Sequence, residues 1–126
     1  MLFSFSGIVK KHLRRGTMLG FPTANIEVEP ETPEGIFVGF ANVDSRRFQS
    51  LIFVGKPLTF DEQDKKAEVY LLDFDDNLYN KKLEINVLFK LRENIKFSSK
   101  DTLVAQIKED ERQARDYFSN FSKMEL

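Results

Sequence analysis

Residues 83–91 alternate between apolar and polar side chains, and this pattern constrains the fold more than any other feature of the chain. The odd-numbered residues of the run are Leu83, Ile85, Val87, Phe89 and Leu91. Its even-numbered residues are polar, with the exception of Leu88. Because side chains of a β-strand point alternately to its two faces, a period of two predicts a strand with one face in a core. Leu88 breaks the alternation and is predicted to contact a helix or a neighbouring strand.

Four further runs in the first three quarters of the chain are short, apolar and rich in residues that favour strands. They cover residues 2–8, 35–43, 48–54 and 68–74. The segments between them contain proline, glycine, aspartate and asparagine, which favour turns. Several strands at short spacing, with few helices between them, predict an antiparallel barrel or sandwich.

The last quarter of the chain has a helical pattern instead. The segment SSKD is typical of a capping box, with Ser98 as the N-cap and Asp101 at the third helical position. Apolar residues then fall on one helical face at Leu103, Ile107, Ala114 and Phe118. Asn120 is the predicted end of the helix. We expect this helix to pack on the sheet through its apolar face.

Length and composition limit the class of protein. A chain of 126 residues fits a single domain, residues 1–126. The absence of cysteine excludes disulfides and thiolate metal sites and favours a reducing, cytoplasmic location. A net charge of −1 argues against nucleic acid or an acidic membrane as a general partner. No apolar run approaches the roughly 20 residues of a membrane span.

Residues 16–25, GTMLGFPTAN, have a composition that is unusual for a simple turn. A basic run at residues 10–15 precedes them. Glycine-rich loops let backbone N–H groups approach phosphate oxygens, and nearby cations neutralise phosphate charge. Thr23 and Asn25 offer neutral oxygens, which suit Mg²⁺ when phosphates supply its other ligands. No Walker A pattern occurs in the chain, so the residues alone leave two alternatives, a phosphate-binding loop or a solvated turn between strands.

The segment LGFPTAN resembles the signature of the riboflavin kinase family. Further blocks that resemble the family follow in the same order, at residues 35–37, 54–60, 68–79, 91–97 and 106–110. The resemblance implies a six-stranded antiparallel Greek-key β-barrel with a C-terminal α-helix. It also implies transfer of the γ-phosphate of ATP to the 5′-hydroxyl of riboflavin, which gives FMN and ADP with Mg²⁺ as the cofactor.

The resemblance implies a role for each matching residue. Thr23 and Asn25 would be Mg²⁺ ligands, and Glu68 would accept the proton of the riboflavin hydroxyl. Arg92 and Phe97 would bind the flavin. The ATP phosphates would be bound by Gly16, Gly20, Pro22, Thr23 and Asn25 of the signature. We also assign the phosphates to Thr17, which stands where the family has a basic residue, and to Arg15 of the preceding basic run. These roles agree with the chemistry, because phosphoryl transfer depends on positioning and charge neutralisation, and an attacking alcohol benefits from one nearby carboxylate.

The sequence departs from the family pattern at several positions. The departures that bear on the site are Thr17 for a basic residue, Phe53 for Asn, Pro57 one position early, and Tyr70 for His. They favour an alternative in which the barrel binds a flavin or nucleotide without catalysis. The presence of Thr23, Asn25 and Glu68 favours an active enzyme.

A third interpretation is a small barrel that binds single-stranded nucleic acid. The basic run and the 13 phenylalanines fit it, since basic grooves and aromatic platforms bind such strands. The acidic net charge opposes it, and the strand pattern assigns most of the phenylalanines to the core. The leading expectation is therefore a monomeric kinase that binds riboflavin and ATP, with neither nucleic acid nor membrane as a partner.

Overall fold

The structure of the chain, a computed structural model, describes residues 1–12, 23–55, 65–74 and 77–125. Within these ranges, one antiparallel sheet is followed by one long helix. The strands are β1 (Phe3–Ile8), β2 (Lys11–His12), β3 (Thr23–Glu27), β4 (Gly35–Val43), β5 (Arg46–Gly55), β6 (Lys66–Leu71) and β7 (Lys82–Arg92), and the helix is α1 (Lys100–Glu125). Of the helices in the described part of the chain, none has the apolar stretch that a membrane crossing requires.

The order of strands in the sheet is β1-β7-β4-β5-β6-β3-β2. Strand β7 returns to lie beside β4, so the spatial order β7-β4-β5-β6 is that of a Greek key. Strands β1 and β2 are separated only by Val9 and Lys10, and they pair with β7 and β3 respectively. The backbone N–H of Lys10 also donates to the carbonyl oxygen of Asn25 at 3.1 Å. The segment 3–12 therefore joins the two ends of the sheet. Counted as one interrupted strand, β1 and β2 make six strands with the other five, and the sheet curls into the barrel that the resemblance implied.

One face of the sheet lines the interior of the barrel. The alternating residues of β6 and β7 contribute Val69, Leu71, Leu83, Ile85 and Val87, all of which are buried. The alternation predicted for residues 83–91 is thus confirmed as far as Val87.

The other face of the sheet is covered by α1. Ala114 and Phe118 of the helix pack there against strand residues that include Val38, Leu51 and Tyr70. Ile107 is also buried, whereas Leu103 is only partly so. The predicted apolar face of the helix is confirmed by this packing.

A register shift on β7 explains the irregular residue in its pattern. Val38 pairs with Phe89 and Gly39 pairs with Val87, so Leu88 is an extra residue on β7. Leu88 packs in the apolar cluster on the helix side, which is the set of side chains between the sheet and α1 that includes Val38, Leu51 and Phe118. This contact with the helix side agrees with the prediction for Leu88. Phe89 was expected in the core, but it is 50% exposed and stacks on Tyr117 with ring centroids 5.5 Å apart. The bulge therefore reverses the faces that a strict period of two assigns.

Two predictions about the ends of the helix are wrong. The helix begins one residue later than expected, because the backbone N–H of Thr102 donates to Oγ of Ser99 at 3.2 Å. Ser99, and not Ser98, is therefore the N-cap, and Asp101 lies at the second helical position. The helix also continues past Asn120 to Glu125.

Candidate active site

Thr23 and Asn25 lie on β3 and not in a loop, which corrects the interpretation of residues 16–25 as a turn or loop throughout. In the antiparallel register, Thr23 lies opposite Tyr70 and Asn25 lies opposite Glu68. Directly opposed residues have Cα atoms about 4.5–5.5 Å apart and point to the same face. The fold therefore brings the two sequence blocks that carry Thr23, Asn25 and Glu68 into contact.

The same register extends from Glu68 across the sheet. Glu68 pairs with Phe53 on β5, and Phe53 pairs with Ile36 on β4. Ile36 in turn pairs with Arg92 on β7. Phe53 and Ile36 belong to the cluster on the helix side, so this row of residues crosses the outer face of the barrel. Glu68 lies within the row, between the β3 oxygens and Arg92.

The polar atoms at the β3 end of the row are shielded from water. Thr23 and Asn25 are each 5% exposed. Within the part of the chain that the structure describes, Oγ1 of Thr23 and Oδ1 of Asn25 have no hydrogen-bond partner. A buried polar atom without a partner costs stability, so such an atom requires an explanation, of which a bound water or ion is one. Two neutral oxygens of this kind fit Mg²⁺, whose remaining ligands come from phosphates and water.

Glu68 is half-buried in the structure. Its Oε2 atom is fully shielded from solvent. An isolated Glu at the start of a strand is usually exposed, and Glu68 differs from that expectation. Its neighbours on the same face are Asn25 and Phe53 across the strands and Tyr70 two residues along the same strand. A carboxylate in this setting can accept a proton from a hydroxyl group held against the sheet.

Tyr70 contacts the helix through its hydroxyl group. The hydroxyl donates to Oε1 of Glu111 at 2.7 Å. Burial of the ring, together with this hydrogen bond, raises the pKa of Tyr70 above its usual range. Tyr70 is therefore protonated at neutral pH and acts as a donor. The tyrosine that departs from the family pattern is accommodated by a carboxylate from α1.

Two nitrogen atoms of the Arg92 guanidinium group donate hydrogen bonds to the carboxylate of Asp110 on the helix. Its Nε donates to Oδ1 of Asp110 at 2.8 Å, and its Nη2 donates to Oδ2 at 2.7 Å. Nε2 of Gln106 donates to the same carboxylate at 3.0 Å. Asp110 is fully buried, and the sequence analysis gave it no role. Its position in the sequence could have indicated a role. Asp110 lies three residues after Ile107 and four before Ala114, so helical spacing puts its carboxylate on the apolar face of the helix.

Residues 93–97, which follow β7, contact Arg92 and β5. Nη1 of Arg92 donates to the carbonyl oxygen of Glu93 at 3.0 Å, and the guanidinium carbon lies 5.9 Å from the centre of the Phe97 ring. Nδ2 of Asn94 donates to the carbonyl oxygen of Val54, the residue that follows Phe53. The two residues predicted to bind flavin, Arg92 and Phe97, thus lie close together beside the row that contains Glu68.

The other predicted phosphate-binding residues lie outside the described part of the chain. They are Arg15, Gly16, Thr17, Gly20 and Pro22. Pro57, one of the departures from the family pattern, also lies outside it.

A carboxylate opposite one buried neutral oxygen and near a second on the same strand fits the class of phosphoryl-transfer enzymes, which need a base beside a metal and phosphate site. Comparison with protein families agrees with this class. The family model described as riboflavin kinase (flavokinase) matches residues 1–118. The chain therefore belongs to the riboflavin kinase family.

Individual relatives match most of this chain. The trifunctional protein RibF/MnmA of Mycoplasmoides gallisepticum is 36% identical over 124 residues, which cover 96% of this chain and 19% of that protein. The RNA-binding riboflavin kinase RibR of Bacillus subtilis is 35% identical over 107 residues, covering 83% of this chain and 46% of that protein. The crystal structure of riboflavin kinase from Trypanosoma brucei superposes with a TM-score of 0.67 at 25% identity, covering 92% of this chain and 79% of that one. The chain thus spans less than half the length of these two curated relatives.

Proposed function

We propose that this domain is a riboflavin kinase that transfers the γ-phosphate of ATP to the 5′-hydroxyl of riboflavin. The observation that carries the proposal is the pairing of Glu68 with Asn25, beside the buried oxygen of Thr23. This pairing puts a candidate base next to candidate metal ligands on one face of the sheet. Membership of the riboflavin kinase family supports the same reaction.

The phosphate side of the site is assigned to β3. Oγ1 of Thr23 and Oδ1 of Asn25 would hold Mg²⁺, because both are buried neutral oxygens whose partners are not among the described residues. When bound, the ion supplies neutralisation of the charge on the ATP phosphates. In this proposal the phosphate site is completed by residues that precede β3 in the sequence, namely Arg15, Gly16, Thr17, Gly20 and Pro22.

The chemical step is a displacement at the γ-phosphorus in which Glu68 takes up one proton. The riboflavin 5′-oxygen forms a bond to phosphorus, and the bond between phosphorus and the bridging oxygen of ADP breaks. The proton of the hydroxyl passes to the carboxylate of Glu68. General-base catalysis of this kind contributes a factor of roughly a hundred to ten thousand. The half-buried position of Glu68 limits competition by water for its carboxylate.

The flavin side of the site is assigned to Arg92, Phe97 and the residues between them. The ring of Phe97 is partly exposed and offers a flat apolar surface next to a guanidinium group. Stacking on such a surface suits the planar isoalloxazine ring. We also assign the reaction to a monomer in the cytoplasm, with riboflavin and ATP as its partners.

The test is direct formation of FMN. The purified chain is incubated with ATP, Mg²⁺ and riboflavin, and the flavins are separated by chromatography. We expect FMN and ADP in equal amounts, and no FMN when EDTA removes the metal. Riboflavin binding, followed by flavin fluorescence, is measured in parallel. Binding without any FMN would contradict the proposal and favour the alternative of a non-catalytic flavin-binding barrel.

A further inference from the structure

The contact between Arg92 and Asp110 is the most thoroughly buried ion pair in the described part of the chain. The side chain of Asp110 is 0% exposed, and that of Arg92 is 16% exposed. Both carboxylate oxygens accept hydrogen bonds from the guanidinium group, and Oδ1 accepts a further one from Gln106. A bidentate pair of this kind fixes the plane and the direction of the guanidinium group.

The guanidinium group that Asp110 fixes also contacts the loop 93–97. Nη1 of Arg92 donates to the carbonyl oxygen of Glu93, and the ring of Phe97 lies beside the guanidinium carbon. The next residue of the loop, Asn94, is tied to β5 through the carbonyl oxygen of Val54 at 3.1 Å. The start of the loop is therefore held from two sides, by β5 and by the Arg92–Asp110 pair.

Buried ion pairs do not by themselves explain stability. Replacing such a pair by apolar residues of similar volume is often neutral or stabilising. The Arg92–Asp110 pair therefore has a role that two apolar side chains would not fulfil equally well. The contacts of Arg92 with Glu93 and Phe97 identify that role as control of the loop.

We propose that Asp110 is a positioning residue of the flavin site, which acts by fixing Arg92 so that Arg92 holds residues 93–97 against β5, the strand that pairs with the one carrying Glu68. The consequence for flavin binding rests on the proposed riboflavin kinase function. The fixation of the loop does not, because it is a property of the free protein. Arg92 itself then serves the flavin mainly through the loop.

The decisive variant replaces both members of the pair, as Arg92→Met with Asp110→Leu. Its denaturation midpoint should stay close to that of the wild type, because no charge is left buried without a partner. The KM for riboflavin should nevertheless rise by roughly tenfold to a hundredfold, the size of effect expected when a substrate-positioning segment is misplaced. The KM for ATP should change by less than about twofold, since the phosphate side lies on β3. Amide hydrogen exchange of residues 93–97 should become faster in the free protein.

Two further variants complete the experiment. Arg92→Lys keeps the positive charge but cannot donate the two parallel hydrogen bonds to Asp110. We expect its KM for riboflavin to rise less than that of the double variant. Arg92→Lys also provides the test if the double variant does not fold. Arg112→Ala is the matched control. It removes ion pairs with Glu109 and Asp116 that are exposed and lie entirely within α1, so neither KM nor the exchange of the loop should change.

The outcomes separate the two proposals. A double variant with wild-type riboflavin KM and wild-type exchange in residues 93–97 would show that the pair only ties the helix to the sheet, and the inference would be overturned. Equal increases in the KM for ATP and for riboflavin would overturn it as well. A wild-type protein that makes no FMN would instead overturn the proposed function, and hydrogen exchange would then decide the fixation of the loop alone.

Discussion

At the scale of single residues, the unusual feature is that Thr23 and Asn25 are polar positions inside a strand whose first four residues are all buried. A hydroxyl group without a partner costs roughly 1–3 kcal/mol when it is desolvated. An apolar residue would serve the barrel better at Thr23. The fold therefore carries a local instability, for which the proposed binding of metal and phosphate at Thr23 and Asn25 accounts.

The first prediction concerns this instability. Thr23→Val keeps the shape and the β-branched side chain but removes the hydroxyl group. We expect the denaturation midpoint to stay the same or to rise, and the rate of FMN formation to fall by at least roughly a hundredfold, because the phosphate and metal site is disturbed. Thr23→Ser, which keeps the hydroxyl group, is the control and should retain more activity. A marked loss of stability in Thr23→Val would indicate that the hydroxyl serves the fold instead.

The second prediction concerns the candidate base. Glu68→Gln keeps the size of the side chain and removes its ability to take up a proton. The kcat should fall by roughly a hundredfold to ten-thousandfold, the range of general-base catalysis. Riboflavin and ATP should still bind, because the amide disturbs neither Thr23 nor the loop 93–97. Steady-state kinetics combined with fluorescence titration measure both effects. An unchanged kcat would remove Glu68 from the mechanism.

The sequence allowed prediction of the candidate residues but not of how they are arranged. Thr23 and Asn25 were named from their neutral oxygens as well as from the family resemblance, and Glu68 from the resemblance alone. No local pattern shows that residues 25 and 68 face each other. The contact of Tyr70 with Glu111 and that of Arg92 with Asp110 were not predicted. Each joins a strand to the helix, and such contacts depend on how α1 crosses the sheet and not on either segment alone.

At the scale of elements, the start of α1 depends on one hydroxyl group. Ser99→Ala removes the acceptor for the backbone N–H of Thr102 and should cost about 1 kcal/mol of unfolding free energy, the typical contribution of an N-cap. The adjacent variant Ser98→Ala is the matched control and should have little effect. Urea denaturation of the two variants gives the comparison. The reverse order of the two effects would restore Ser98 as the cap.

The contact between the helix and the turn after β6 should depend on pH. Arg115 donates to both carboxylate oxygens of Asp73, at 3.1 and 3.0 Å. These hydrogen bonds lower the pKa of Asp73 below its usual range. The unfolded chain, with an Asp pKa of about 3.9, therefore takes up a proton before the folded protein does. The stability that this carboxylate contributes is present above that pH and is lost as the pH falls through the lower value in the folded protein.

The corresponding test compares acid denaturation curves. Asp73→Asn suits the backbone, because Asp73 has a φ of 59° and Asn tolerates such angles equally well. We expect the wild type to lose more unfolding free energy than Asp73→Asn as the pH falls below about 5. Arg115→Met, which removes the partner, should flatten the same part of the curve. Parallel curves for all three proteins would contradict the assignment.

Elements with a regular pattern were predicted well from the sequence. Strand β4 has the predicted bounds, and β5, β6 and β7 differ from their predicted runs by a few residues at their ends. Strand β3 was missed because its residues, TANIE, include two polar side chains, those assigned to the proposed site, which weaken the strand pattern. The faces of β7 were reversed beyond Val87 by a bulge that only pairing with β4 imposes. Local patterns therefore fail where function or strand pairing overrides them.

At the scale of the whole molecule, the residues alone left barrel and sandwich open, and only the family resemblance specified the barrel. The contact that distinguishes a barrel from a sandwich is the one between β1 and β3. These strands do not form a hairpin, and no sequence pattern indicates that they meet. The packing also accounts for much of the aromatic content that had suggested nucleic-acid binding. Phe37 and Phe118 are buried, and Phe89 stacks on Tyr117. Phe37 and Phe118 therefore serve the packing of the protein, whereas Phe89 is half exposed beside Tyr117.

The closure of the barrel can be tested at Gly7, the point where β1 approaches β3. A Cβ atom at this position would lie 2.5 Å from Cγ2 of Ile26, which is fully buried on β3. Gly7→Ala should therefore destabilise the protein by about 1–3 kcal/mol, the usual cost of overpacking a core. Ile26→Ala should also destabilise it, but it removes the obstructing methyl group, so the double variant should be more stable than the sum of the two changes indicates.

The control for this cycle is Ile52→Ala, which makes a similar cavity on β5, away from the contact between β1 and β3. Its effect should add to that of Gly7→Ala within about 0.5 kcal/mol, because the atoms nearest to a Cβ at Gly7 belong to Ile26 and Glu27 and not to Ile52. Urea denaturation of the single and double variants provides all the free energies. Coupling of Gly7 to Ile26 but not to Ile52 is expected only if the first and third strands meet in solution. If the free-energy changes add for Gly7 with Ile26 as they do for Gly7 with Ile52, then β1 and β3 are not in contact in solution. The barrel would then be open between them, and its closure would not hold β3 with Thr23 and Asn25.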